Sequence, residues 1–415
     1  MIIENNRMAL RAISNACKIS NYLNGRHNVL SRKDFEFGGN TFQTAKIVLQ
    51  SIKSIVDYHS SFICGNQVSI TGNQEIVSLL QAVYKKGHYN KTDFDVVKNI
   101  ITYGNAYEYV YKDNNGIIKS KVLNNKECSP IYEDGEYIGF SEKWKNNELE
   151  TEHELYYTAD EVKEYRNGVL VDEYNNPTGL PIHYTSGNLD ESNFFGLGII
   201  DDLIPIMDQI EELLSKMSDS VTTLSLNPLG VSIGDRVDAS IDKDITGATI
   251  FVESGGDFRW NTANLDTNAI KLLLDNLINQ YFTIACVPST LYGQGNIANV
   301  SETSLQILYS NTESLAKRIS LNMLEGVYQR LEYISKLLGT DITGANVNFN
   351  FDKPIDYNNL MNNMKLLWEM NAISRQSIIR NSPYTSDVGQ ELILLECEQE
   401  KKNVVNTTNS EELNK

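Results

Sequence analysis

The stretch that decides the fold is VPSTLYGQGNIANVSETSLQILYSNTESLAKRISLNMLEGVYQRLEYISKLL, from Val287 to Leu338. Its second part carries Leu305, Leu308, Thr312, Leu315, Ile319, Met323, Val327, Leu331, Ile334 and Leu338 at helical spacing, which predicts one helix from about Glu302 to Leu338. Some 36 residues at helical rise make a rod of roughly 54 Å, longer than a small domain is wide. The first part is its opposite. Pro288 stops a preceding helix, Gly293 and Gly295 loosen the chain, Gln294, Asn296 and Asn299 supply amides, and no charge occurs before Glu302.

Upstream, Ile270, Leu273, Leu274, Leu277, Ile278 and Tyr281 stripe a helix from Asp266 to Cys286, with Asn268, Lys271, Asp275 and Asn279 on its other side. Before it, Met207, Ile210, Leu213, Leu214, Met217, Val221 and Leu224 stripe another, with Pro205 suited to its first turn. Asp208, Glu211, Glu212, Ser215, Lys216 and Asp219 take its remaining faces, and Glu211-Glu212 and Asp201-Asp202 read as solvated. Between the two helices lies a turn-rich strand region holding Asp235, Arg236, Asp238, Asp242 and Arg259. Downstream of the rod come a strand, Asn346 to Phe351, and helices near Asp356 to Ala372 and Asp387 to Lys401, with a capping candidate at Ser374. Residues 402–415 are polar and read as disordered.

The N-terminal part differs. Residues 1–40 form a polar arm with a weak helical signal, expected to pack on a neighbouring molecule. Helices follow from Thr41 to about Ile63, Glu75 to Tyr84 and Lys91 to Thr102. Then Ala106 to Lys112 alternates with period two, and Asp113-Asn-Asn-Gly116, Glu133-Asp-Gly135 and Arg166-Asn-Gly168 are hairpin turns in a run of strands to about Asp172. The class is α+β, mainly helical.

Composition narrows function. Lys and Arg number 36 against 54 Asp and Glu, a formal net charge of −18, so a generic phosphate-gripping protein is excluded. Cys17, Cys64, Cys128, Cys286 and Cys397 are odd in number, form no CxxC pair and read as buried or idle thiols of a reducing compartment. The first residues lack the pattern of a secretory signal, and no apolar run approaches the length of a membrane span, so the protein is expected to stay in the cell that makes it.

Chemical motifs fail on context. Gly293-Gln-Gly-Asn-Ile-Ala298 has the form of a dinucleotide fingerprint, but a helix precedes it where a strand is required. Gly230-Val-Ser-Ile-Gly234 has the form of a nucleophile elbow, yet the order of helix and strand is reversed, and no histidine follows residue 184. Gly196-Leu-Gly198 reads as a hinge. No phosphate loop occurs, and His27, His59, His88, His153 and His183 have no metal-ligand spacing. The expectation is no catalytic residue, no cofactor, no metal and no enzyme, but a structural or binding protein.

Five local patterns then carry a resemblance: Tyr22-Leu-Asn-Gly-Arg-His27; Ile55-Val-Asp57 with Phe62-Ile-Cys-Gly65; Tyr103-Gly-Asn-Ala-Tyr107; Val287-Pro288 with Leu291-Tyr-Gly293; and Ile373-Ser374 with Asp387 and Glu391. In this order, and with the sequence of elements above, they resemble the portal proteins of tailed double-stranded DNA bacteriophages, of the siphovirus type. The resemblance implies a ring, usually of twelve subunits, at one capsid vertex, through which the terminase motor packages DNA that is later ejected. Implied partners are the double-stranded DNA itself, read without sequence specificity, the large terminase subunit, a head-tail adaptor, the major capsid protein and a scaffold. Assembly in the bacterial host cytoplasm and no membrane association are implied as well.

On this mapping residues 1–40 are an N-terminal arm, 41–198 the wing, 199–224 and 266–287 the two stem helices, and 225–265 the clip. Residues 288–301 are the tunnel loop, 302–338 the helix from wing to crown, 339–401 the crown and 402–415 the tail. Asn268, Lys271, Asp275 and Asn279 would face the DNA channel, Gln294, Asn296 and Asn299 the tunnel, and Asp235, Arg236, Asp238, Asp242 and Arg259 the terminase or adaptor. Twelve copies at −18 bring about −216 to such a ring, and a bore without basic lining lets phosphates slide. The alternatives are a ring-forming head-tail adaptor and a cytoplasmic nucleotide-binding enzyme.

Overall fold

The computed structural model describes residues 2–37, 40–146, 150–221, 229–233, 257–261, 266–288, 302–342, 344–351 and 357–382, with single positions as far as 397. It divides into two compact units, Met1–Asp352 and Lys353–Lys415.

The expected polar arm opens with a 22-residue helix, α1 (Ile2–Leu23). Its Ala9, Ala16, Ile19 and Tyr22 are buried at helical spacing within this same chain. A short 3-10 turn at Asn28–Ser31 and the hairpin of β1 (Phe35–Phe37) with β2 (Asn40–Phe42) follow.

The helix expected from Thr41 begins only at Ser51, as α2 (Ser51–Cys64). Residues 43–50 have no regular structure. Next come β3 (Ser69–Thr71), α3 (Gln74–Gly87) and α4 (Tyr89–Tyr103). The strand run is β4 (Asn105–Lys112), β5 (Ile118–Leu123), β6 (Cys128–Glu133), β7 (Glu136–Asn146), β8 (Thr151–Tyr157), β9 (Glu161–Arg166), β10 (Val169–Asn175) and β11 (Ile182–Thr185). It makes a three-stranded sheet, β11-β4-β5, and a five-stranded antiparallel sheet, β10-β9-β8-β7-β6. At two of its hairpins, Asp134-Gly135 and Asn167-Gly168 take the left-handed conformations that tight two-residue turns demand.

α5 (Ile199–Ser220) starts earlier than its stripe required, so Pro205 sits inside the helix and not in its first turn. The strands β12 (Leu229–Ile233) and β13 (Asp257–Asn261) pair antiparallel, and α6 (Thr267–Ile284) returns with Asp266 capping it through Ala269 N–H at 3.0 Å. α7 (Glu302–Leu338) has 37 residues and the boundaries its stripe predicts. β14 (Asn346–Asn348) pairs with β3 in the first unit. The second unit holds α8 (Tyr357–Glu369) and α9 (Arg375–Asn381), the latter capped by Ser374 through Ser377 N–H at 3.2 Å.

One core runs through the first unit. Ile55, Val96, Ile100, Ala106, Val110, Tyr184, Leu203, Met207, Met323 and Ile334 join α2, α4, β4, β11, α5 and α7 in it. A smaller cluster, Tyr107, Leu123, Cys128, Phe140, Tyr157 and Val162, fills the space between the two large sheets. β4 therefore alternates between two cores and not between core and water.

Gly196-Leu-Gly198 is no hinge. A Cβ on Gly196 would overlap the backbone carbonyl of Gly104, and one on Gly104 the carbonyl of Gly196. Asn105 locks the crossing by accepting from Gly196 N–H at 2.8 Å and donating to Gly196 O at 2.9 Å. The N-terminus of α5 is thereby fixed to β4.

Candidate functional site

Most acids of α5 are engaged by the N-terminal segment, contrary to the expected solvation of Asp201, Glu211 and Glu212, while Asp202 is exposed as expected. Asn15 donates to Asp201 at 2.7 Å, and Tyr22 and Asn28 both donate to Asp208 at 2.8 Å. His27, buried, meets Glu211 at 2.7 Å, while its other ring nitrogen donates to Tyr22 O at 2.9 Å. Arg32 reaches Asp219 at 2.9 Å.

The irregular residues 43–50 have their cause here. Ala45, Ile47 and Leu49 donate backbone N–H groups to Asp219, Ser215 and Glu211 at 2.7, 3.0 and 2.7 Å. Acceptors four residues apart on a helix rise about 6.0 Å. Amides two residues apart on extended chain advance about 6.6 Å, so the rungs coincide. A helix at 43–50 would forfeit all of them. Glu211 is fully buried, and burial raises its pKa while the Leu49 N–H and His27 draw it back down.

The predicted channel residues lie together on α6. Asn268, Lys271, Asp275 and Asn279 fall within an arc of about 80°. Asn268, Lys271 and Asn279 are exposed and Asp275 half-buried. Lys271 and Asp275 cancel, so the arc is formally neutral. The adjoining arc, with Leu274, Leu277, Ile278 and Tyr281, packs into the core beside α5, and Phe282, which falls between Lys271 and Asp275 around the helix, joins that core at its C-terminal end.

At the C-terminal end of α6 two carbonyls are held by other helices. His59 on α2 donates to Ala285 O at 2.7 Å, and Thr312 on α7 donates to Cys286 O at 2.6 Å. Cys286 takes a left-handed φ of 53° to make the bend, and Val287 is buried. The chain is thus pinned as far as Val287. The expected tunnel loop, with Gln294, Asn296 and Asn299, lies outside the described residues, as does the glycine fingerprint.

Of the expected clip contacts, Asp235, Arg236, Asp238 and Asp242 also lie outside the described residues. Arg259 is placed on β13 opposite Val231 on β12. Ser232, in the hydrolase-like motif, sits mid-strand opposite Phe258, with no helix start beside it.

The sequence reading missed Arg330. This α7 side chain is fully buried and donates through Nε and Nη2 to Glu108 on β4, at 2.8 Å each, and through Nη1 to Asp93 on α4. Tyr184 also donates to Glu108, and the guanidinium lies 5.3 Å from the Tyr89 ring centre. Burial raises the pKa of Asp93, opposed by Arg330. A signal was present: Arg330 lies three residues past Val327 on the apolar stripe, and Glu108 shares a strand face with Ala106 and Val110. About 27 Å of helix joins Thr312, at the root of the loop, to this ion-paired node.

The five cysteines remain thiols. Among the described residues there is no grouping of metal-binding side chains, and no helix is long and apolar enough to cross a membrane.

A family model described as phage portal protein, SPP1 Gp6-like, matches residues 9–404. Two similar solved structures are the neck of an empty GTA particle in C6 symmetry and the neck of a native GTA particle in C12 symmetry. The first is 13% identical with a TM-score of 0.50, over 82% of this chain and 89% of that one. The second is also 13% identical with a TM-score of 0.50, over 82% and 88%. At such identity the likeness establishes the fold alone. No curated protein matches.

Proposed function

Since the chain belongs to the phage portal protein family over nearly its whole length, we propose that twelve copies close a ring at one capsid vertex and that α6 presents its neutral arc to the passing DNA. The observation that carries this assignment is the division of α6: Leu274, Leu277, Ile278 and Tyr281 pack into the core, while Asn268, Lys271 and Asn279 stay exposed and, with the half-buried Asp275, carry no net charge. Amides exchange hydrogen bonds with phosphates one after another, whereas each added lysine contributes a salt-dependent increment of hold. A ring of such arcs guides a duplex and does not grip it.

The exposed Leu272 lies beside that arc, about 20° past Asn279, and the exposed Leu273 lies about 120° beyond Asn279 around the helix. In a ring they are suited to meet α5 or α6 of the adjacent copy. Residues 225–265, built on the β12–β13 pair, serve as the clip, with Asp235, Arg236, Asp238, Asp242 and Arg259 toward terminase or adaptor. Residues 288–301 serve as the tunnel loop, with Gln294, Asn296 and Asn299 toward DNA. Assembly takes place in the host cytoplasm, and the wing meets the capsid protein and scaffold.

The test is Asn268→Lys with Asn279→Lys, which adds about two dozen cations to a twelve-membered bore. Packaging should slow at least severalfold in rings of unchanged mass, and raised salt should relieve the defect. Normal filling of heads by intact rings would remove α6 from the channel.

A further inference from the structure

A second charged feature lies away from α5 and α6. Between Glu75 and Asp93 the chain carries no acid but has Lys85, Lys86 and Lys91, in a protein whose formal net charge is −18. The fold concentrates these cations. α3 ends at Gly87, His88 alone turns the corner with a left-handed φ of 57°, and α4 begins at Tyr89. Lys85 and Lys91 come to line one cleft of about 740 Å³ with His88, Gln67, Gln81 and Asn90. Among the described residues no carboxylate lines it.

Three features leave its positive potential uncompensated. Lys85, Lys86 and Lys91 are exposed and form no ion pair with any described residue. Lys91 stands in the first turn of α4, where the helix dipole disfavours a cation. That turn contains no acid, and no side chain caps it. The amide side chains add neutral hydrogen-bonding groups of the kind that hold phosphate oxygens.

We infer that this cleft is a second nucleic-acid contact, binding the phosphate backbone of DNA through Lys85, Lys91 and His88. Its size suits a short run of one strand's backbone and not a whole duplex cross-section. It rests on the portal reading only for the presence of DNA, and it divides the labour: α6 lets DNA slide, and the α3–α4 corner holds it.

The probe is a labelled duplex of about 20 base pairs, titrated with the full-length protein from about 50 to 200 mM salt. Lys85→Glu with Lys91→Glu should weaken binding at least tenfold at the lowest salt and reduce the slope of log affinity against log salt by about two. Lys18→Glu with Lys53→Glu makes the same change of net charge elsewhere and should leave the slope unaltered. Failure of the wild-type protein to bind, an unchanged slope in the first variant, or an equal loss in the second would overturn the proposal. Displacement of the duplex by poly-glutamate at matched charge would instead assign the cleft to an acidic polypeptide, and would overturn it too. The titration reads the cleft in a monomer or a ring alike, while mass photometry of the same samples reports on the ring.

Discussion

Arg330 shares its buried site with two carboxylates, Asp93 and Glu108, and that sets the consequence of losing it. Arg330→Met strands both acids without a counter-charge and should cost about 3–5 kcal/mol, read from denaturant unfolding. Adding Asp93→Asn and Glu108→Gln should recover at least half of the loss. A mild effect of the single change would mean that the node is not the anchor of α7. His59 acts through its protonation state. Its Nε2–H serves Ala285 O, its buried Nδ1 has no partner among the described residues, and burial holds its pKa down to about 4. The unfolded chain takes up that proton near 6.5. Stability from this group is therefore present above about pH 6.5 and drains away toward pH 4, by up to about 1.4 kcal/mol per unit. His59→Gln keeps a donor for Ala285 O without titrating, so the gap in urea midpoint between wild type and variant should narrow as pH falls through this window. A gap independent of pH would contradict the assignment.

At the scale of elements, the ladder between residues 45–49 and α5 separates what periodicity reveals from what it cannot. Ala45, Val48, Leu49 and Ile52 have helical spacing, and by that criterion the helix starts near Thr41. The chain instead stays extended because Glu211, Ser215 and Asp219, more than 160 residues away, accept its amides. Hydrogen bonds across such a separation leave no periodic trace in either segment. For the same reason Glu211 looked like one of a solvated pair. The hairpins were legible because Asp-Gly and Asn-Gly turns act locally, and α7 because its stripe stays on one face from Thr312 to Ile334. Ser215→Ala removes the middle rung and should cost about 1 kcal/mol. It should speed hydrogen exchange at Ile47 at least tenfold while the helix amides of α5 stay protected. Unchanged exchange at Ile47 would show that the ladder does not hold the strap.

For the whole molecule, the order of elements was readable because each junction carries a local marker: Pro288 after α6, Asp266 before it, and Gly104 before β4. The candidate channel residues of α6 were readable as the polar positions left by its apolar stripe. The buried node and the cationic corner were not, because each is assembled from segments that only the folded chain brings together. Whether this chain closes a ring is read most directly by mass photometry of the purified full-length protein. Twelve chains of 46.8 kDa predict a dominant species near about 560 kDa that persists on dilution. A population confined to the mass of one or two chains, under conditions where the protein is folded, would contradict the account.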